Sequence, residues 1–156
     1  KPSSAASDVY KRQLAAATIK TAYNKMNLSF MKAFTSGIMC NILVCLAVLL
    51  AGVCQDAIGK IFACFFPIWA FVIAGYEHCV ANMYYIPAGL LAKHGEAYYN
   101  AAIMAGMTPD QLDSMTVGKF FLNNLLPVTL GNIVGGVVFV ALPLYLIYRN
   151  KNKAEA

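Results

Sequence analysis

The chain has 156 residues, 60% of them hydrophobic and only 12% charged, with a mean hydropathy of +0.60. Soluble domains carry about 25% charged residues, so this composition reads as an integral membrane protein with no separate soluble domain. The formal net charge is +5, but no basic stripe interleaved with aromatics accompanies it, which excludes a nucleic-acid partner.

Residues 1–13 read as foreign to the rest. Ser7-Asp8-Val9-Tyr10-Lys11-Arg12-Gln13 resembles the translation of a transposon-end adaptor used in sequencing libraries, and there is neither an initiator Met nor a signal-peptide apolar region. The expectation is an adaptor scar, with the authentic chain starting upstream of Leu14 and this sequence forming the C-terminal part of something longer. Residues 14–29 are a mixed, amphipathic lead-in that ends in polar Asn24-Lys25-Met26-Asn27.

A first span is expected over about 30–54, because residues 33–54 hold no charge and 22 residues suffice to cross about 30 Å of hydrocarbon. A short polar turn follows at 55–60. Residues 61–92 then run for 32 positions interrupted only by Glu77 and His78. As one helix this stretch would be about 48 Å long, too long for a simple span. A helix broken near 75–80 resolves the excess length, with Gly75 to Cys79 as the non-helical piece and Pro87 as a kink in the second half. Broken backbone at membrane depth is tolerated only where it lines a cavity or is buried in protein.

Residues 93–119 form the one sizeable polar loop. Within it Thr108-Pro109-Asp110 reads as the start of a short surface helix, with Thr108 as N-cap and Pro109 at the first position. A last uncharged segment covers about 118–148, and its Gly131-xxx-Gly135-Gly136 pattern suits close helix packing. The tail 150–156 is basic, and Arg149, Lys151 and Lys153 place the C-terminus in the cytoplasm by the positive-inside rule. Three spans then put the 93–119 loop outside. Lys20, Lys25 and Lys32 fall on the outside too, against the same rule.

Glu77-His78 is the chemically informative pair. Ionisable groups at bilayer depth cost a few kcal/mol each, and a residue that titrates near neutral pH beside an acid reads as part of an ion or proton path. The rival for His78 is a satisfied packing histidine. His94, in the polar loop, reads as solvated surface, and Tyr84-Tyr85 as interfacial or core aromatics. Cys40, Cys45, Cys54, Cys64 and Cys79 all lie in or beside apolar runs without CxxC spacing, so they read as buried thiols, with no metal site and no disulfide framework. A haem-bearing redox subunit would need two converging helix histidines, and only His78 and His94 exist.

Three stretches together resemble the formate/nitrite transporter family. Residues 37–47 (Gly37-Ile38-Met39-Cys40-Asn41 onward) are similar to its fourth membrane helix. The run Glu77-His78-Cys79-Val80-Ala81-Asn82-Met83 is similar to the break in its fifth, and 124–136 to its sixth. The resemblance covers 14–149. It implies an all-α, aquaporin-like fold of two inverted three-helix repeats, of which this chain holds the second, with a broken middle helix. It also implies a homopentamer in the full-length form, in the inner membrane of a prokaryote, with no cofactor and no enzymatic activity.

By the same resemblance, the substrate pathway comprises His78, as central pore histidine, with Asn41 near it, the lysine Lys25 and the constriction aromatic Phe71. Glu77 supports the loop. Bland rivals stand beside these roles: a snorkelling lysine for Lys25, plain apolar bulk for Phe71, and interhelical hydrogen bonding for Asn41. The implied substrates are small monovalent anions of weak acids, formate first, with nitrite and hydrosulfide as alternatives, together with protons. Outside the family, the alternative is a non-transporting membrane anchor or assembly protein.

Two effects would ease an anion through an apolar constriction. Lys25 and backbone N–H groups at the break supply positive potential. A low-dielectric pore raises the anion's own pKa and favours its neutral acid, to which His78, with an unperturbed pKa of about 6.5, donates a proton or a hydrogen bond. Adjacent residues on regular backbone cannot both face one pore, so Glu77 is expected to brace the loop through hydrogen bonds.

Overall fold

Long uncharged runs satisfy their backbone polar groups within a bilayer by winding into helices. The computed structural model, which describes residues 4–154, is helical in all the regular structure of those residues. The helices are α1 (Ser4–Met26), α2 (Phe30–Val53), α3 (Ala57–Ile73), α4 (Cys79–Ala92), α5 (Glu96–Met104), α6 (Pro109–Asp113) and α7 (Val117–Asn150). At 24 and 34 residues, α2 and α7 are long and apolar enough to cross a membrane. The apolar helices α3 and α4, of 17 and 14 residues, reach only about 26 and 21 Å at 1.5 Å per residue. Between them lies non-helical backbone, so the long run 61–92 is a broken helix. Two π-helical stretches, Phe120–Leu125 and Val137–Ala141, interrupt the α-helical winding of α7.

The chain divides into two units that interleave in sequence. The first comprises Lys1–Phe30 with Val80–Leu126. Its core is built on the inner face of α1, where Ile19, Ala22 and Met26 follow helical spacing and are fully buried with Ile86 of α4, Ala102 of α5 and Leu112 of α6. A side chain at Gly89 of α4 would collide with Ala22, so the two helices touch there nearly backbone to backbone. The described part of α1 runs from Ser4, inside the segment read above as an adaptor scar. Residues 8–14 are exposed, and Ala16 is the first core residue among those described.

The polar stretch 93–119 also belongs to this unit and is more ordered than one surface helix. Thr108 and Gln111 form a reciprocal capping box at the start of α6, with N–H to side-chain oxygen distances of 3.3 and 3.0 Å. Lys93 Nζ donates to the carbonyls of Leu112 (3.0 Å) and Met115 (2.6 Å), satisfying acceptors at the end of α6. The helix α5 was not anticipated: its N-cap is Gly95, without a side-chain cap. Its stability comes from Ala102 packed into the core rather than from local signals.

The second unit comprises Met31–Cys79 with Pro127–Ala156. Here α2 lays its small buried residues, Ala33, Gly37 and Cys40, toward Val128, Gly131 and Gly135 of α7. A Cβ at Gly131 would overlap the Phe34 carbonyl, one at Gly135 the Ile38 carbonyl, and one at Gly37 would sit 2.8 Å from the Val128 carbonyl. This is close helix contact through small residues, as the glycine pattern suggests. In α3, Asp56 caps the first turn by accepting from Gly59 N–H (2.7 Å), while Phe62, Phe65, Phe66 and Trp69 point outward and are about half exposed. All five cysteines are free thiols.

Candidate functional site

The site is the non-helical segment 74–78 that follows α3, with Cys79 at its end, all within the second unit. The helix α3 closes with its own backbone. Gly75, at φ +67°, turns the chain, its N–H donating to the Val72 carbonyl (3.1 Å), and Tyr76 N–H reaches back to the Phe71 carbonyl (3.0 Å). This pairing satisfies carbonyls that a helix end otherwise leaves without partners. Glycine reaches positive φ without the strain a Cβ adds, about 1–2 kcal/mol for other residues.

The other end of the segment is held by neighbouring helices. Asn132 of α7 is buried, and its carboxamide bridges three backbone groups. Its Oδ1 accepts from Cys79 N–H (3.0 Å), the first N–H of α4, and its Nδ2 donates to the carbonyls of Gly37 (2.8 Å) and Glu77 (3.2 Å). Asn132 therefore serves α4 as an N-cap delivered from a different helix. Ser36 of α2 adds a second tether, its Oγ accepting from Glu77 N–H at 3.0 Å.

His78 is held between these tethers. Its ring is partly buried and stacks on Phe71, with centroids 5.9 Å apart and planes 21° from parallel. Phe71 sits in the last turn of α3 and its carbonyl accepts from Tyr76 N–H in the Gly75 turn, so one short segment carries both rings. Glu77 is buried at 5% exposure, and its backbone is anchored at both its N–H and its carbonyl. Asn41 of α2 donates from Nδ2 to the backbone carbonyl of Asn132 (2.6 Å). Gly136 leaves room for that amide, since a Cβ there would lie 2.6 Å from it. The structure thus brings His78, Phe71, Asn41 and Glu77 together in one unit, with Asn41 joined to the break through Asn132.

Lys25 belongs to the first unit. It lies in the last turn of α1, with Nζ 5.8 Å from the centroid of the Tyr85 ring. Its carbonyl accepts from Asn124 Nδ2 (2.9 Å), and Asn124 Oδ1 accepts from Asn82 Nδ2 (2.7 Å), both asparagines being buried.

Sequence reasoning missed Asn132, Ser36, Asn82 and Asn124 as working residues. A signal existed, because a carboxamide in an uncharged span costs a few kcal/mol unless it is hydrogen-bonded. Each of these amides is therefore expected to hold backbone or another amide. What sequence withholds is which backbone. Among the described residues no three His, Cys, Asp or Glu side chains cluster as metal ligands would. Chemically, the site offers one imidazole, with a donor and an acceptor nitrogen when neutral, on irregular backbone at the start of a helix.

Comparison with known proteins agrees with this architecture. A probable formate transporter from Methanothermobacter thermautotrophicus is 45% identical over 122 residues, covering 78% of this chain and 37% of that protein. Formate channel FocA of Escherichia coli K12 is 35% identical over 136 residues, 86% of this chain and 47% of that one. A solved pentameric formate channel with formate bound superposes with a TM-score of 0.77 at 38% identity, covering 86% of this chain and 52% of that one. The chain thus spans roughly half or less of the length of these relatives. The formate/nitrite transporter model matches residues 3–146, and the chain belongs to that family.

Proposed function

We propose that this chain is part of a multi-pass membrane channel for small monovalent anions of weak acids, formate first, with nitrite and hydrosulfide as the alternatives within the family. The observation that carries the reading is the His78–Phe71 stack at a helix break buttressed by Asn132 and Ser36. A titratable ring at membrane depth is costly to keep there. Here it is partnered by an aromatic on one face and set on backbone that two neighbouring helices hold. Formate channels among the relatives and the formate-bound pentamer among the solved structures supply the substrate and assembly for this proposal.

In the mechanism, a bare anion pays a desolvation penalty that its neutral acid avoids. Lys25 and the N-terminal backbone of α4 draw the anion in, and His78 donates a hydrogen bond or the proton that neutralises it. Glu77, buried, braces the loop. Full-length homopentamers would carry one such pathway per protomer, with the C-terminus in the cytoplasm of a prokaryotic cell.

The test is formate uptake into liposomes carrying the full-length protein. Wild-type uptake is expected to depend on pH across about pH 5–8, the range in which a histidine side chain changes charge. His78→Asn should flatten that profile, because its amide does not titrate. Absence of formate, nitrite and hydrosulfide flux would establish the anchor or assembly reading instead. Flux with an identical pH profile in His78→Asn would remove the histidine from the mechanism.

A further inference from the structure

We infer that Asn132 is a positioning residue for His78, acting as the clasp that sets the geometry of the helix break; this deepens the reading above and rests on it for the role of His78. Three observations converge on one carboxamide. It caps the first N–H of α4, one residue after His78, at 3.0 Å. It holds the carbonyl of Glu77, one residue before His78, at 3.2 Å. It ties both to α2 through the Gly37 carbonyl at 2.8 Å. The backbone on either side of the imidazole is thus fixed by a single buried side chain, 6% exposed, which itself has no place in the ring stack with Phe71.

The position of that side chain is over-determined. Gly131, beside Asn132, and Gly135, one turn on, bring α7 onto the carbonyls of Phe34 and Ile38, so α7 cannot withdraw without opening that contact. Asn41 clasps the backbone carbonyl of Asn132 from α2 at 2.6 Å. A carboxamide suits the job because it accepts and donates at once. Aspartate keeps the acceptor for Cys79 N–H, but turns a carboxylate oxygen toward two carbonyls. Leucine, similar in size, supplies neither function.

The experiment uses the full-length protein with every cysteine except Cys79 replaced, in three versions: unmodified at 132, Asn132→Asp and Asn132→Leu. Thiol labelling of Cys79 by a small maleimide is followed by mass spectrometry, and formate uptake is followed against pH in the same preparations. A loosened break is expected to raise the Cys79 labelling rate about tenfold, in line with loss of a net 1–2 hydrogen bonds. It is also expected to displace the pH profile of uptake while the protein still assembles like the parent. Labelling and pH profile both unchanged in Asn132→Asp and Asn132→Leu would overturn the inference. Loss of assembly in both, matching a Gly131→Ala control, would assign Asn132 to helix packing alone and overturn it equally. Labelling does not depend on transport, so a parent protein without flux would refute the channel reading while the clasp is still decided.

Discussion

Individual residues at the break separate backbone geometry from packing. Gly75 has positive φ, and a Cβ built on it meets nothing within 4 Å. Gly75→Ala should therefore cost only the conformational term, about 1 kcal/mol, read as a drop of a few degrees in the thermal midpoint of the purified protein. A much larger loss would mean that the turn does more than reverse the chain. His78 was legible in the sequence because an imidazole in an apolar run demands explanation. Phe71 was singled out only by the family resemblance, since one phenylalanine among Phe62, Phe65, Phe66 and Phe71 has no local mark of its own. Asn132 was hidden for a different reason. Its partners are carbonyls and N–H groups, which every residue has, so composition cannot say where they lie.

At the level of elements, the long uncharged stretches announced α2 and α7, and the 32-residue run 61–92, too long for one span, announced the break between α3 and α4. The same logic failed for α5, whose helix depends on burial of Ala102 and not on a cap or a sharp amphipathic pattern. The register of α2 against α7 gives a paired prediction. Gly131→Ala forces a methyl group against the Phe34 carbonyl and should destabilise the full-length protein by roughly 2 kcal/mol or more, as overpacking does. Gly52→Ala, near the end of α2, meets nothing within 4 Å and should be neutral, or stabilise by up to about 0.5 kcal/mol through helix propensity. Equal effects in thermal melts would contradict the close contact. In the first unit, Thr108→Ala removes one half of the capping box and should cost about 1 kcal/mol, with faster hydrogen exchange confined to the turn that begins α6.

For the whole molecule, topology is the testable quantity. A green fluorescent protein fused after residue 156 should fluoresce in a bacterial host if the basic tail lies in the cytoplasm, and a dark fusion with a bright periplasmic reporter would reverse the assignment. The sequence pointed to two long apolar helices with a broken apolar run between them, because hydrophobic length is additive along the chain. It did not show that the unit holding the break is stitched from segments far apart, because hydrogen bonds between helices carry no periodic signature. That stitching bears on biosynthesis. Gly37, Glu77 and Cys79 precede Asn132 by 95, 55 and 53 residues. A ribosome that has released α3 and α4 has not yet made the side chain that satisfies their broken ends. Until α7 emerges, the nascent chain holds polar backbone that lipid cannot solvate. The interval before α7 arrives is thus when an insertion chaperone is needed most and when a stalled chain is easiest to recognise as unfinished.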